Sequence, residues 1–175
     1  DLLEDAENGL TLSSRSLLHE MYEQWRQANE AIKRIEKGLK NQARSNDDAQ
    51  RLMRMKGVAV KIATATIAHA GNGHGYKSGR HFSANLGLVP REYSSGGQQR
   101  LGGITKRGNQ YLRGLLIQGA WSVVRNVDKN DDRLSRWAKQ LVERRGKHKT
   151  VVAVANKMAR IMWSMLYHQT EYRTN

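Results

Sequence analysis

The residues best suited to chemistry are two adjacent serines in a glycine-rich, basic stretch of the chain. Ser94 and Ser95 precede Gly96 and Gly97. Because glycine has no side chain, the serine hydroxyls are sterically accessible, as attack on phosphorus requires. Serine also needs a base, and Glu92 is the only acid near it in sequence. The residues allow two interpretations: a serine nucleophile, or a clamp in which both serines only bind phosphate oxygens. Local chemistry alone favours the clamp.

Basic residues surround these serines and could bind a phosphodiester and stabilise the charge that builds up on it during attack. They are Arg91, Arg100, Lys106, Arg107 and Arg113. Lys56 and Lys61 flank a turn at Gly57. This turn resembles a helix-hairpin-helix element, in which backbone N–H groups at a helix start hold a phosphate, and it equally resembles an ordinary helix connection. A third basic group contains Arg144, Arg145, Lys147 and Lys149.

Composition disfavours other kinds of site. The chain has no cysteine, which removes thiol nucleophiles and cysteine-type zinc sites. The six histidines lack the spacing of a helical zinc pair. The acidic residues after residue 50 are too scattered for a two-metal site. The sequence therefore predicts no metal and no cofactor in this chain.

The charge of the chain is distributed very unevenly. Residues 1–50 contain 7 basic and 10 acidic residues, whereas residues 51–175 contain 23 basic and 6 acidic residues, for a net charge of +17. Such a field attracts polyanions, and nucleic acid is favoured over an anionic membrane because no helix is both basic and broadly apolar. No apolar run is long enough to cross a membrane, and the acidic first residues do not form a leader. We expect a soluble cytoplasmic protein.

Two regions must position these residues. From Leu18 to Leu39 apolar residues alternate steps of three and four, which predicts a heptad helix that begins near Ser13 or Ser14 and ends near Gly38. The pattern leaves three forms open for this arm, residues 1–48: part of a long helical hairpin, a dimerising coiled coil, or a helix that packs on the basic domain. We expect a homo-oligomer through the Leu18–Leu39 seam.

Residues 49–175 predict a basic bundle of short helices. The expected helices cover residues 47–53, 56–70, 78–86, 109–127, 131–141 and 151–168. The last of these is apolar around most of its circumference, so we expect it to be central. Residues 91–108 are expected to form a glycine-rich loop. No segment alternates as a strand does, and the predicted fold class is all-α.

Three segments resemble the C-terminal transposase domain of insertion-sequence 110/1111 elements. They are residues 5–9 (Asp-Ala-Glu-Asn-Gly), residues 82–113, which include the serines, and residues 137–149, which end in Gly-Lys-His-Lys. The resemblance covers essentially the whole chain and is most specific in residues 82–113. The Gly57 turn departs from the family's Pro-Gly-Ile-Gly by having Lys56 and Ala59.

This resemblance implies a transposase that cuts and exchanges DNA strands. In that family a helical domain carries a serine nucleophile, and an RNase H-like domain holds Mg²⁺ in a DEDD acidic site. By motif the nucleophile is Ser95, with Ser94 as second choice, and the basic residues named above become phosphate ligands. The acidic domain is missing from this sequence, so we expect a fragment that binds DNA while Mg²⁺ is bound elsewhere. Some members use a guide RNA, which is a second expected partner.

Overall fold

The computed structural model describes residues 9–173, and it divides into two compact units. One unit ends at Gln42 and the other begins at Ala43, whereas the sequence predicted a division between residues 48 and 49. Most of the motif at residues 5–9 lies outside the described residues. In the part of the chain that is described, no helix combines the length and apolar character needed to cross a membrane.

The first unit is built on one long helix, α1 (Leu12–Arg44), whose last two residues belong to the second unit. The predicted heptad lies within it. Thr11 caps the helix, because its Oγ1 accepts a hydrogen bond from the Ser14 N–H at 3.2 Å; the predicted caps, Ser13 and Ser14, lie inside. Gly38 does not end the helix as predicted, because one glycine in a helix interior costs only about 1 kcal/mol.

The apolar seam of α1 is exposed. Met21, Trp25, Ile32 and Ile35 are between 51% and 64% exposed. Tyr22 stacks on Trp25 with ring centroids 5.8 Å apart, which stabilises only the helix surface. Within residues 9–42 nothing covers this stripe, so its association with a partner stays a prediction.

The second unit is mainly helical, which confirms the all-α prediction in outline. It contains α2 (Asp47–Met53), α3 (Val60–Ala70), α4 (Gly79–Asn85), β1 (Pro90–Glu92), β2 (Leu101–Ile104), α5 (Gln110–Arg125), a 3-10 turn (Val127–Lys129), α6 (Arg133–Arg145) and α7 (Lys147–His168). The last helix begins at Lys147, four residues before the predicted start at residue 151, because Gly146 with φ of 76° separates α6 from α7 without a longer turn.

The core of the second unit is built around α7. This helix packs against α5, α4, α6 and α2, so it is central as expected, but its buried residues occupy one broad face of about half its circumference rather than most of it. Met158, Met162 and Leu166 are completely buried in it, together with Phe82 and Leu116 from neighbouring helices. Burial of each such side chain stabilises the fold by about 1.5–3 kcal/mol before the loss of chain entropy.

Helix α5 also meets the turn before α3 at a contact between two glycines. Gly57 has φ of 79°, and a Cβ at this position would lie 2.6 Å from the carbonyl oxygen of Gly119. A Cβ at Gly119 would lie 2.3 Å from the carbonyl oxygen of Gly57. Both distances are shorter than any tolerated contact, so the two backbones approach this closely only because neither residue has a side chain.

We predict opposite effects for two glycine-to-alanine substitutions in α5. Gly119→Ala should lower the free energy of unfolding by several kcal/mol, since its methyl group collides with the Gly57 backbone. Gly114→Ala should raise it by about 0.5–1 kcal/mol, because nothing lies within 4 Å of that Cβ. Equilibrium urea unfolding measures both. Equal changes for the two variants would contradict the close backbone contact.

Candidate nucleic-acid interface

The serines lie in a β-hairpin, where the sequence predicted a loop without strands. Strands β1 and β2 are antiparallel, with Pro90 opposite Ile104 and Glu92 opposite Leu101. The pairing continues towards the tip, where the Tyr93 N–H donates to the Arg100 carbonyl at 2.9 Å. Both strands are largely exposed on both faces. They therefore lack the alternation of apolar and polar residues by which strands are detected.

A two-residue turn closes the hairpin. Ser95 and Gln98 form a β-bridge, and the Gln98 N–H donates to the Ser95 carbonyl at 3.1 Å. Between them Gly96 and Gly97 have φ of 57° and 78°, the left-handed conformation that a type I′ hairpin turn requires at both central residues. These glycines are therefore needed by the turn itself, whatever role the neighbouring serines have.

The base of the hairpin is held by a second contact between backbones. A Cβ at Gly87 would lie 2.1 Å from the Arg107 carbonyl oxygen, and a Cβ at Gly108 would lie 1.7 Å from the Asn85 carbonyl oxygen. The chain that enters the hairpin and the chain that leaves it thus touch directly at the end of α4. Asn109, at the predicted start of the next helix, caps α5, since its Oδ1 accepts from the Leu112 N–H at 2.9 Å.

The two serine hydroxyls have different surroundings. The Ser94 Oγ donates to Glu92 Oε1 at 2.6 Å and accepts from the Arg100 N–H at 3.3 Å. The Ser95 side chain lies next to the turn and is exposed. Within residues 9–173 its Oγ has no hydrogen-bond partner. The carboxylate that sequence analysis noted near both serines therefore contacts Ser94, and the unengaged hydroxyl is that of Ser95.

The basic residues of the hairpin differ in what they contact. Arg91, Arg100, Lys106 and Arg107 are exposed on it. Arg113 lies instead in the first turns of α5, where its Nη1 donates to the carbonyls of Leu86 at 3.1 Å and Arg107 at 3.3 Å. This side chain ties the base of the hairpin to the end of α4, so it has a structural role beside any contact with phosphate.

The remaining predicted cations lie away from the hairpin tip. Arg144 and Arg145 end α6 and Lys147 and Lys149 begin α7, and all four are exposed at this corner. Lys149 also lines a groove beside the base of the hairpin. Lys61 is exposed in the first turn of α3. The Gly57 turn before it is packed against α5, which gives this glycine a structural explanation.

Lys56 points into an internal polar cluster. Its Nζ donates to Asp132 Oδ2 and to Asn130 Oδ1, both at 2.7 Å. Asp132 caps α6, since its Oδ1 accepts from the Leu134 and Ser135 N–H groups, and its Oδ2 also accepts from the Ser135 hydroxyl at 2.7 Å. Lys56 therefore joins the turn before α3 to the start of α6.

This cluster controls the ionisation of Asp132. Burial alone would raise the pKa of the carboxyl group, but the hydrogen bonds from Lys56 and Ser135 and the charge of Lys56 outweigh it. The pKa falls from 3.8 to about 2. The ionised form is thus the one that the fold stabilises.

Stability should therefore depend on pH through Asp132. Its contribution of about 2 kcal/mol should be present above pH 4 and lost as the pH falls from about 4 to about 2, because the folded-state pKa lies below the unfolded-state value. Asp132→Asn should remove this part of the acid dependence of the free energy of unfolding in urea. Asp131→Asn, an exposed neighbour, should keep it. Identical pH curves for wild type and Asp132→Asn would contradict the role of the cluster.

The described residues do not fit a metal ion. Within residues 9–173 no three His, Asp or Glu side chains are placed to hold one. The Mg²⁺ site implied by the resemblance would need ligands from outside this part of the chain.

Three further basic residues lie beside the hairpin that were not predicted from the sequence. Arg80, Lys157 and Arg160 line the same groove as Lys149. Lys149, Lys157 and Arg160 recur at helical spacing along α7, a signal present in the sequence. Arg80 comes from α4 and joins them only through the tertiary fold.

Comparison with known proteins identifies the family. The sequence model of the transposase IS116/IS110/IS902 family matches residues 49–136. The chain belongs to this family of transposases, which confirms the resemblance found in the sequence.

Relatives cover most of the chain. The chain is 44% identical to a probable family 20 transposase of Pseudomonas aeruginosa, and the match covers 90% of this chain and 46% of that protein. It is 42% identical to the transposase for insertion sequence element IS1111A of Coxiella burnetii over 94% of this chain and 45% of that protein. The transposase for IS1328 of Yersinia enterocolitica is 37% identical over 84% of this chain and 44% of that protein. The chain spans about half the length of these relatives.

Proposed function

We propose that this chain is the DNA-contacting, serine-bearing part of a transposase that cuts and joins DNA strands. The observation that carries the proposal is the hairpin at residues 90–104, which presents Ser95 at a glycine turn together with the exposed Arg91 and Arg100. Family membership supports it, since the relatives are transposases by name. DNA is the proposed partner, and a guide RNA stays a prediction from the resemblance.

In the proposed reaction the Ser95 Oγ attacks the phosphorus of a phosphodiester. An Oγ–P bond forms, one P–O bond to a sugar breaks, the serine proton passes to a base, and the leaving sugar oxygen takes up a proton. Arg91 and Arg100 neutralise the charge that grows on the phosphoryl oxygens. Strand joining is the reverse attack by a sugar hydroxyl on the phosphoserine, which releases Ser95.

Ser94 is the alternative nucleophile, and one observation favours it. Its hydroxyl already donates to Glu92 Oε1, so a carboxylate stands ready to accept the proton. The same hydroxyl also accepts from the Arg100 backbone, which makes Ser94 part of the hairpin's own hydrogen bonding. We assign attack to Ser95 and the positioning of the hairpin to Ser94.

We predict that Ser95→Ala, in the protein extended to the length of its relatives, abolishes strand cleavage and leaves DNA affinity within about twofold. Ser94→Ala and Glu92→Gln should retain measurable cleavage. Cleavage of end-labelled DNA and binding of the same DNA are measured on each variant.

Other outcomes would assign the site differently. Cleavage by Ser95→Ala together with inactive Ser94→Ala and Glu92→Gln variants would transfer attack to Ser94 with Glu92 as base. If both serine variants cleave DNA, and only Arg91→Ala or Arg100→Ala loses cleavage because it binds DNA more weakly, the hairpin is a phosphate clamp instead.

We also propose that the exposed seam of α1 joins two copies of the protein. Ile32→Asp should prevent self-association, because it places a charge within the Leu18–Leu39 stripe. Gln27→Asp adds the same charge on the polar side of the helix and should leave the mass in sedimentation equilibrium unchanged. A wild-type protein that is monomeric, or an Ile32→Asp variant with unchanged mass, would contradict this role of the seam.

A further inference from the structure

A groove lies between the base of the hairpin, α4, α6 and α7. Its volume is about 880 Å³, and its walls include Leu88, Pro90, Trp137, Val152 and Ile161. This volume is within the range of about 300–1,000 Å³ that is usual for sites of small organic groups. The groove therefore has an apolar floor large enough for a flat ring system and its substituents.

The rim of the groove is positively charged. Arg80, Lys149, Lys157 and Arg160 line it, and no Asp or Glu is among its lining residues. In the described part of the chain none of these four side chains forms a salt bridge with a carboxylate. Four cations around one groove without a counter-charge repel one another, and an anionic ligand would relieve that repulsion.

Lys157 is the most constrained of these cations. Its Nζ lies 3.9 Å from the centroid of the Trp137 ring, a cation–π contact. Burial and the positive charges of Arg133 and Arg160 lower its pKa. Its ammonium group thus lies over an indole and feels the positive charge of two arginines, and a bound phosphate would stabilise its charged form.

An apolar floor with a cationic rim does not fit the outside of a DNA duplex. A duplex presents sugars and phosphates on its outside and keeps its bases stacked inside. An apolar floor would remove water from those phosphates without giving them a compensating hydrogen bond or charge. It does fit a base that has left the stack, with its phosphate at the rim. The helix α1 is a poor alternative occupant, because it has more basic than acidic residues.

We propose that this groove binds one unpaired nucleotide of the DNA, with its base on the apolar floor at Pro90, Val152 and Ile161 and its phosphate at Arg80, Lys149 and Arg160. This inference rests on the proposed function, since strand cleavage and joining expose unpaired nucleotides. Pro90 and Ile104, at the base of the hairpin, also line the groove. The bound nucleotide would thus lie beside the hairpin that carries the serines.

The test compares two charge reversals on two DNAs. Arg160→Glu alters the rim of the groove, whereas Lys129→Glu makes the same charge change at an exposed residue outside it. The 175-residue chain is titrated with a continuous duplex and with the same duplex containing a short single-stranded gap. Wild type should prefer the gapped DNA. Arg160→Glu should lower the affinity for gapped DNA about tenfold more than the affinity for continuous duplex. Lys129→Glu should lower both affinities by the same factor.

A second readout follows the base itself. A 2-aminopurine in the gap should change its fluorescence with wild type and Lys129→Glu but not with Arg160→Glu, and Arg80→Glu should behave as Arg160→Glu does. Circular dichroism confirms that each variant is folded. If Arg160→Glu and Lys129→Glu weaken both DNAs equally, the groove inference is wrong. An acidic peptide that occupies the groove without reducing the preference for gapped DNA would also overturn it.

The experiment distinguishes a failure of the groove inference from a failure of the proposed function. Wild type that binds neither DNA contradicts the proposed function. Wild type that binds both DNAs with equal affinity contradicts only the groove.

Discussion

Close approach of two backbones is the constraint on which the second unit depends. At Gly57 and Gly119 it brings the turn before α3 onto α5, and at Gly87 and Gly108 it closes the base of the hairpin on the end of α4. A side chain at any of these positions would push the chains apart. The exposed hairpin is thus anchored by contacts as short as those in the core, although its own strands bury almost nothing.

Electrostatics complements this packing. Most acidic residues of the second unit have a basic partner, as in the pairs of Lys56 with Asp132, Arg54 with Glu171 and Lys139 with Asp128. The surplus of positive charge is left on the hairpin, the α6–α7 corner and the groove. Internal pairing therefore leaves the positive field on these three surfaces, where a polyanion would meet little opposing charge.

The sequence was informative wherever a local rule decides the structure. Helical periodicity located the helices, and Asn109 and Asp132 are N-caps at or next to the predicted helix starts at residues 109 and 131. The strands were missed because neither buries a face. The groove was missed because Arg80 reaches α7 only through the packing of α4. The close contacts at Gly87 and Gly108 were equally hidden, since a glycine that touches another backbone looks, in sequence, like any loop glycine.

The two-residue turn of the hairpin also has a consequence for the two hydroxyls. Neighbouring residues of a strand point to opposite sides of the ribbon, and directly paired residues share a side. Ser95 is paired with Gln98, and Tyr93 with Arg100, so these four residues belong to one side. Ser94 belongs to the other, with Glu92. The hairpin is thus two-sided, with arginine and tyrosine accompanying one hydroxyl and a carboxylate the other, and a strand lying along one side meets a single serine.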